Sequence, residues 1–220
     1  MLDIGGESTR PGASPVSVQA ELDRVLPVLE GLSEVGVALS VDTMKPEVMH
    51  AALAAGADMI NDVMALTVPG ALEAVVQSHC GICLMHMQGA PRSMQVAPHY
   101  ENVVAEVAAF LNERLNLCRQ KGIDADRLVI DPGFGFGKTL EHNISLFKNV
   151  SLFANIAPVL VGVSRKSMIG ALTGRAVEGR KAGSIAAAML AAMQGVAILR
   201  VHDVQDTVDA MKVLEILGAG

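Results

Sequence analysis

The chain has 220 residues, of which 51% are hydrophobic, 18% charged and only 3% aromatic. That composition excludes a disordered chain and calls for a core of Ala, Val, Leu, Ile and Met. The net charge of −6 argues against a general nucleic-acid binder, and no apolar run reaches the roughly 18 residues of a membrane span. In chain order, residues 1–4 read as the tail of a strand, followed by a Gly-rich loop and a helix over 18–32. Short buried-strand runs follow at 37–41, 58–60, 82–85, 128–130, 159–163 and 197–201. Between them, helical stretches cover 46–55, 70–78, 100–121, 142–155 and 183–194, and a last helix covers 206–217. Cys80, Cys83 and Cys118 complete no zinc pattern and read as buried, reduced thiols of a cytoplasmic protein.

Strands alternating with helices predict an α/β protein with a parallel sheet. No linker divides the chain, so residues 1–220 read as one domain. Successive strands end in polar groups: Asp42, Asn61, His86, Asp131, Ser164-Arg165-Lys166, and Arg200 with His202. A (β/α)8 TIM barrel gathers such ends at one mouth, whereas an open doubly wound sheet uses only those near its switch point. The expectation is therefore a barrel. The count reaches about seven βα units, so the barrel is expected to be N-terminally truncated.

Four segments carry candidate chemistry. The loop after Asp3 holds Thr9 and Arg10, a hydroxyl and a guanidinium fork suited to phosphate, or else forms a solvated turn. Asp42, Asn61 and Asp131 offer acceptors and one amide. Those suit an aminopyrimidinone ring, a divalent metal, or helix caps. In Asp131-Pro-Gly-Phe-Gly-Phe-Gly-Lys138 the spacing is neither a Walker loop nor a dinucleotide fingerprint. Phe134 and Phe136 stand there as a ring-contacting wall or a hydrophobic anchor. Lys166 could form a Schiff base or donate as a cation, and His86 could be a packed core histidine.

The segments GGESTRPGA, SVDT, IND, LMHMQG, DPGFGFGK, VGVSRKSMIG and RVHDV, in this order, resemble bacterial dihydropteroate synthase. The resemblance runs over residues 1–217. It implies a (β/α)8 barrel that condenses 6-hydroxymethyl-7,8-dihydropterin diphosphate with p-aminobenzoate in folate synthesis. It also implies Mg²⁺ as cofactor, a homodimer, and sensitivity to sulfonamides. By motif, Asp42, Asn61, Met87, Asp131, Lys166 and Arg200 resemble the pterin-binding set. Thr9, Arg10, Arg200 and His202 resemble the diphosphate set, and Thr9, Pro11, Phe136 and Ser164 the p-aminobenzoate pocket. Lys166, Arg200 and His202 are the implied catalytic residues. The family mechanism is dissociative: diphosphate leaves, a pterin cation forms, and the amine attacks. The family's opening N-V-T-P-D-S-F loop, which carries its metal-binding Asn, is not found in this sequence. No metal ligand is therefore assigned, and impaired activity is expected. A pterin-binding methyltransferase domain and a non-catalytic pterin-binding module are the alternatives.

Overall fold

The computed structural model describes residues 1–10, 12–90 and 93–218. The first half alternates β1 (Leu2–Gly5), α1 (Val18–Leu32), β2 (Leu39–Asp42), α2 (Pro46–Ala54), β3 (Met59–Asp62), α3 (Ala71–Val76), β4 (Gly81–Met85) and α4 (Val103–Gln120). The second half runs β5 (Leu128–Asp131), α5 (Leu140–Lys148), α6 (Val150–Ala154), β6 (Leu160–Val161), α7 (Ser167–Thr173), α8 (Lys181–Ala192), β7 (Ile198–Leu199) and α9 (Val204–Leu217). The helix starts follow local chemistry. Ser17 and Asn102 accept backbone N–H groups at the starts of α1 and α4, and Pro46 opens α2 where no N–H partner is needed. Thr139 and His142 form a reciprocal cap on α5.

All strands are parallel. β1 to β5 pair in sequence order, β6 pairs with β7, and a bridge between Ile130 and Val159 joins the two sets. Side chains alternate between the two faces of each strand. Val41, Ile60, Ile82, Leu84, Leu128 and Ile130 face the helices and belong to one continuous hydrophobic cluster. Met59, Cys83 and Leu160, with Val129 and Ile198 against them, form a separate apolar plug inside the barrel. Two residues further along three of these strands stand Asn61, Asp131 and Arg200. The alternation that buries the plug thus raises a polar layer directly above it, at the carboxyl ends of the strands.

Several expectations need correction. Strand β3 runs through Asn61 and Asp62, so both lie within the strand rather than after it. Asp62 is buried away from the mouth and accepts the N–H groups of Met64 and Leu66 at 2.8 and 2.7 Å. The single helix expected over 142–155 breaks at Asn149 into α5 and α6. Helix α7 was not foreseen, because seven residues ending at the left-handed Gly174 are too few to show helical periodicity. Among the described residues β1 pairs only with β2, and β7 only with β6. Between them opens a cavity of about 680 Å³ lined by Asp3, Asn61, Lys166, Arg200 and His202 among others.

Candidate active site

The floor of the mouth is acidic. Asp42 ends β2 and Asp131 ends β5, and both are buried, as is Asn61 on β3. Burial, and then the charge of Asp3, push the Asp42 carboxyl from 3.8 up to about 7 against the pull of Arg200. Asp131 is also raised by burial, while Lys166 and the Gly133 N–H, at 2.7 Å from Oδ1, hold it down. The Arg200 guanidinium bridges two of these acids: Nε donates to Asp3 at 2.6 Å and Nη2 to Asp42 at 3.2 Å. Asn61 Nδ2 donates to the same Asp3 oxygen at 3.2 Å.

The loop after β5 is clamped onto the loop after β4. Gly133 and Gly137 have φ of +70° and +63°, and a Cβ on them would lie 1.8 Å from His86 O and 2.5 Å from Gln88 O. Only glycine fits either position. Beneath them Lys138, 3% exposed, contacts His86 Nδ1 at 2.9 Å and donates to Phe136 O at 3.0 Å. Burial lowers Lys138 from 10.5 to about 7 and His86 from 6.5 to about 3. His86 is therefore the packed histidine, edge-on to Phe110 at 5.1 Å. The two loop phenylalanines divide: Phe134 is a core anchor against Phe147, and Phe136 stays half-buried under the Lys166 ammonium at 4.8 Å. Lys166 Nζ also donates to Phe134 O at 2.5 Å, and burial lowers it from 10.5 to about 8.

Residues 164–166 and the segment after β7 are tied together. Ser164 Oγ meets His202 Nδ1 at 3.0 Å. Arg165, at the strained φ of +57°, grips Asp203 through two bonds of 3.0 and 2.6 Å. His202 is lowered by burial and by the charges of Arg165, Arg200 and Arg10. The loop after β1 is held at its base by Glu7, which accepts from Val16 N–H at 3.0 Å and from Lys45 at 2.5 Å. Lys45 also pairs with the buried Glu21.

Asp42, Asn61, Asp131, Lys166 and Arg200 converge on one mouth, with Ser164 and His202 beside them. Thr9 and Arg10 lie on the loop beyond Glu7, where Arg10 is exposed and its charge reaches His202, and Met87 is half-buried in the loop after β4. Pro11 lies outside the described residues. Sequence reading passed over Asp3 and Lys138. Asp3 precedes the first quoted motif and Lys138 ends another, yet their partners are 58 and 52 residues away and leave no local pattern.

Acceptors on one side of a barrel mouth and cations on the other define a TIM-barrel enzyme equipped for a polar ring and an anion. The family described as pterin binding enzyme matches residues 1–202. The dihydropteroate synthase of Escherichia coli K12 is 52% identical over 98% of this chain and 77% of its own length. That of Haemophilus influenzae is 51% identical over 97% of this chain and 78% of its own. The Yersinia pestis dihydropteroate synthase, solved with a sulfonamide drug, superposes with a TM-score of 0.96 at 48% identity, covering 99% of this chain and 80% of that one. The Xanthomonas albilineans enzyme in complex with 7,8-dihydropteroate gives a TM-score of 0.91 at 52% identity, covering 100% and 81%. The chain belongs to the pterin-binding enzymes and, among them, to the dihydropteroate synthases.

Proposed function

We propose that the chain joins p-aminobenzoate to 6-hydroxymethyl-7,8-dihydropterin diphosphate, releasing diphosphate and leaving 7,8-dihydropteroate. The observation that carries this is the division of the mouth. Asp42, Asn61 and Asp131 suit the N–H-rich edge of an aminopyrimidinone. Arg200, His202 and Arg10 suit a leaving diphosphate. Lys166, above Phe136 and close to Asp131, donates to the ring, and Met87 and the Arg200 plane cover its faces. Thr9, Phe136 and Ser164 serve the p-aminobenzoate pocket, where a sulfonamide would compete. As the carbon–oxygen bond to diphosphate breaks, positive charge grows on the ring. That charge favours the ionised form of Asp42, whose proton passes to water, and the two carboxylates then stabilise the cation. The aniline nitrogen attacks the carbon and gives up its proton to water or the released diphosphate; no strong base is needed.

Among the described residues no three His, Cys, Asp or Glu side chains are grouped to hold a metal ion. Asp3 and Asp42 each keep one buried oxygen free, but Arg200 already bridges them, so these residues do not fit a Mg²⁺ cage. We propose Mg²⁺ as a companion of the diphosphate oxygens, in keeping with its preference for substrate phosphates. No described helix is long and apolar enough to cross a membrane, and the proposed location is the cytoplasm. The proposed assembly is a homodimer through the exposed Leu190, Met193, Val213 and Ile216 of the α8–α9 face. The proposed organisation is one domain over residues 1–220, in keeping with the main hydrophobic cluster that runs from Val25 to Ala191.

The test is diphosphate release by the purified chain with pterin diphosphate and Mg²⁺, with and without p-aminobenzoate. Circular dichroism on the same sample reports folding. Release that needs p-aminobenzoate is expected. A folded chain that binds the pterin but releases nothing would leave a pterin-binding module instead.

A further inference from the structure

Asp3 belongs to none of the residue sets assigned above, yet it touches two of their members. Its side chain is 16% exposed within β1, facing the cavity. One oxygen accepts from both Asn61 Nδ2 and Arg200 Nε, and the other is buried without a partner among the described residues. An aspartate carboxylate only accepts hydrogen bonds, whereas the Asn61 carboxamide has one donating end and one accepting end. The pairing therefore fixes which end points where. The NH₂ of Asn61 faces Asp3, and its Oδ1, to which no described group donates, is left toward the cavity. Similarly, Asp3 and Asp42 occupy Nε and Nη2 of Arg200 and leave Nη1 for an incoming group.

We infer that Asp3 is a positioning residue that sets the polarity of Asn61, so that the mouth shows a ligand three acceptors (Asp42, Asn61 and Asp131) rather than two acceptors and a donor. This rests on the proposed pterin site. A ring with N–H groups on its recognition edge is then favoured, and a ring with bare nitrogens there meets acceptors it cannot pair with, which is costly when buried.

The experiment is calorimetric titration of the chain with a 2-amino-4-oxopteridine, in a cycle of Asp3→Ala and Asn61→Ala. Asp3→Ala is expected to weaken binding about 10-fold or more, the size of a lost buried hydrogen bond. Asn61→Ala should cost about as much in the wild-type chain but almost nothing further once Asp3 is gone. Asp3→Asn, which keeps the shape and an acceptor opposite the amide, should hold affinity within about 3-fold, less than one such bond. It also carries the test if the alanine variant does not fold. A loss with Asp3→Asn as large as with alanine, strictly additive losses, or unchanged affinity in Asp3→Ala would each overturn the inference while leaving the pterin site standing. A folded wild-type chain that bound no such ring would overturn the site and the inference together.

Discussion

The β1–β5 half of the barrel and the β6–β7 half are built to different standards. In the first, β2 and β3 are buried at every position, each strand pairs over three or four residues, and the outward side chains lie in the main cluster. In the second, the strands pair over two residues, neither residue of β7 is buried, and α9 buries only Thr207. The acceptors Asp42, Asn61 and Asp131 sit on the first half, and Lys166, Arg200 and His202 on the second. On the proposed assignment, reading the edge of a ring needs atoms held within a fraction of an ångström, which well-packed strands supply. Holding a diphosphate would need charge more than register, for which a guanidinium on a looser strand suffices.

That contrast breaks most readily at its rigid end. Asp42→Ala should lower diphosphate release by about 100- to 1000-fold, the usual effect of removing a preorganised charge from a developing cation. Steady-state assay of the purified variant checks this, and near-normal turnover would remove the floor from the mechanism. Next in size is packing. Ile60→Ala, at a fully buried site in the first half, should cost about 2–4 kcal/mol in urea unfolding. Ile198→Ala, half-buried in the second, should cost about 1 kcal/mol. Equal losses would erase the distinction between the halves. On the rim, Arg10→Ala should raise the KM for pterin diphosphate about 10-fold, as for one lost charge-assisted contact, with kcat little changed.

The smallest effect concerns pH. Burial raises Asp42 to about 7 and Asp62 to about 6 from 3.8, so between these values the folded chain holds protons that the unfolded chain has lost. The contribution of these two carboxyls to stability should therefore fall as pH rises from about 4 to about 7, while His86, Lys138 and Lys166, all lowered by burial, act in the opposite sense. Asp42→Asn should flatten part of that slope, by on the order of 1 kcal/mol at pH 8, while weakening pterin binding. Thermal unfolding across pH 4–8 measures it, and a variant with the wild-type slope would refute the burial of this charge.

Much of this was legible because barrel chemistry sits where strands end. Asp42, Asn61 and Asp131 announce themselves as polar residues closing apolar runs. What stayed hidden depends on pairing between distant residues. Asp3 looks like part of a frayed strand until Asn61 and Arg200 are seen on it. Lys138 closes a Gly-rich loop with no assigned role until it is found under its own loop against His86. Phe134 and Phe136 stand two residues apart in one loop, yet the left-handed Gly135 between them turns the chain so that one enters the core and the other faces Lys166. The ion pairs of Lys45 with Glu7 and Glu21, which hold the base of the Arg10 loop, join segments 38 and 24 residues apart.

The division of the mouth is tested most directly by titrating three chains, wild type, Asp42→Asn and His202→Ala, with a pterin and with its diphosphate ester. The account predicts that Asp42→Asn weakens both ligands alike, whereas His202→Ala leaves the pterin unchanged and removes part of the diphosphate's advantage. If His202→Ala weakened the bare pterin as much as the diphosphate, or Asp42→Asn weakened only the diphosphate, acceptors and cations would not be divided between ring and anion.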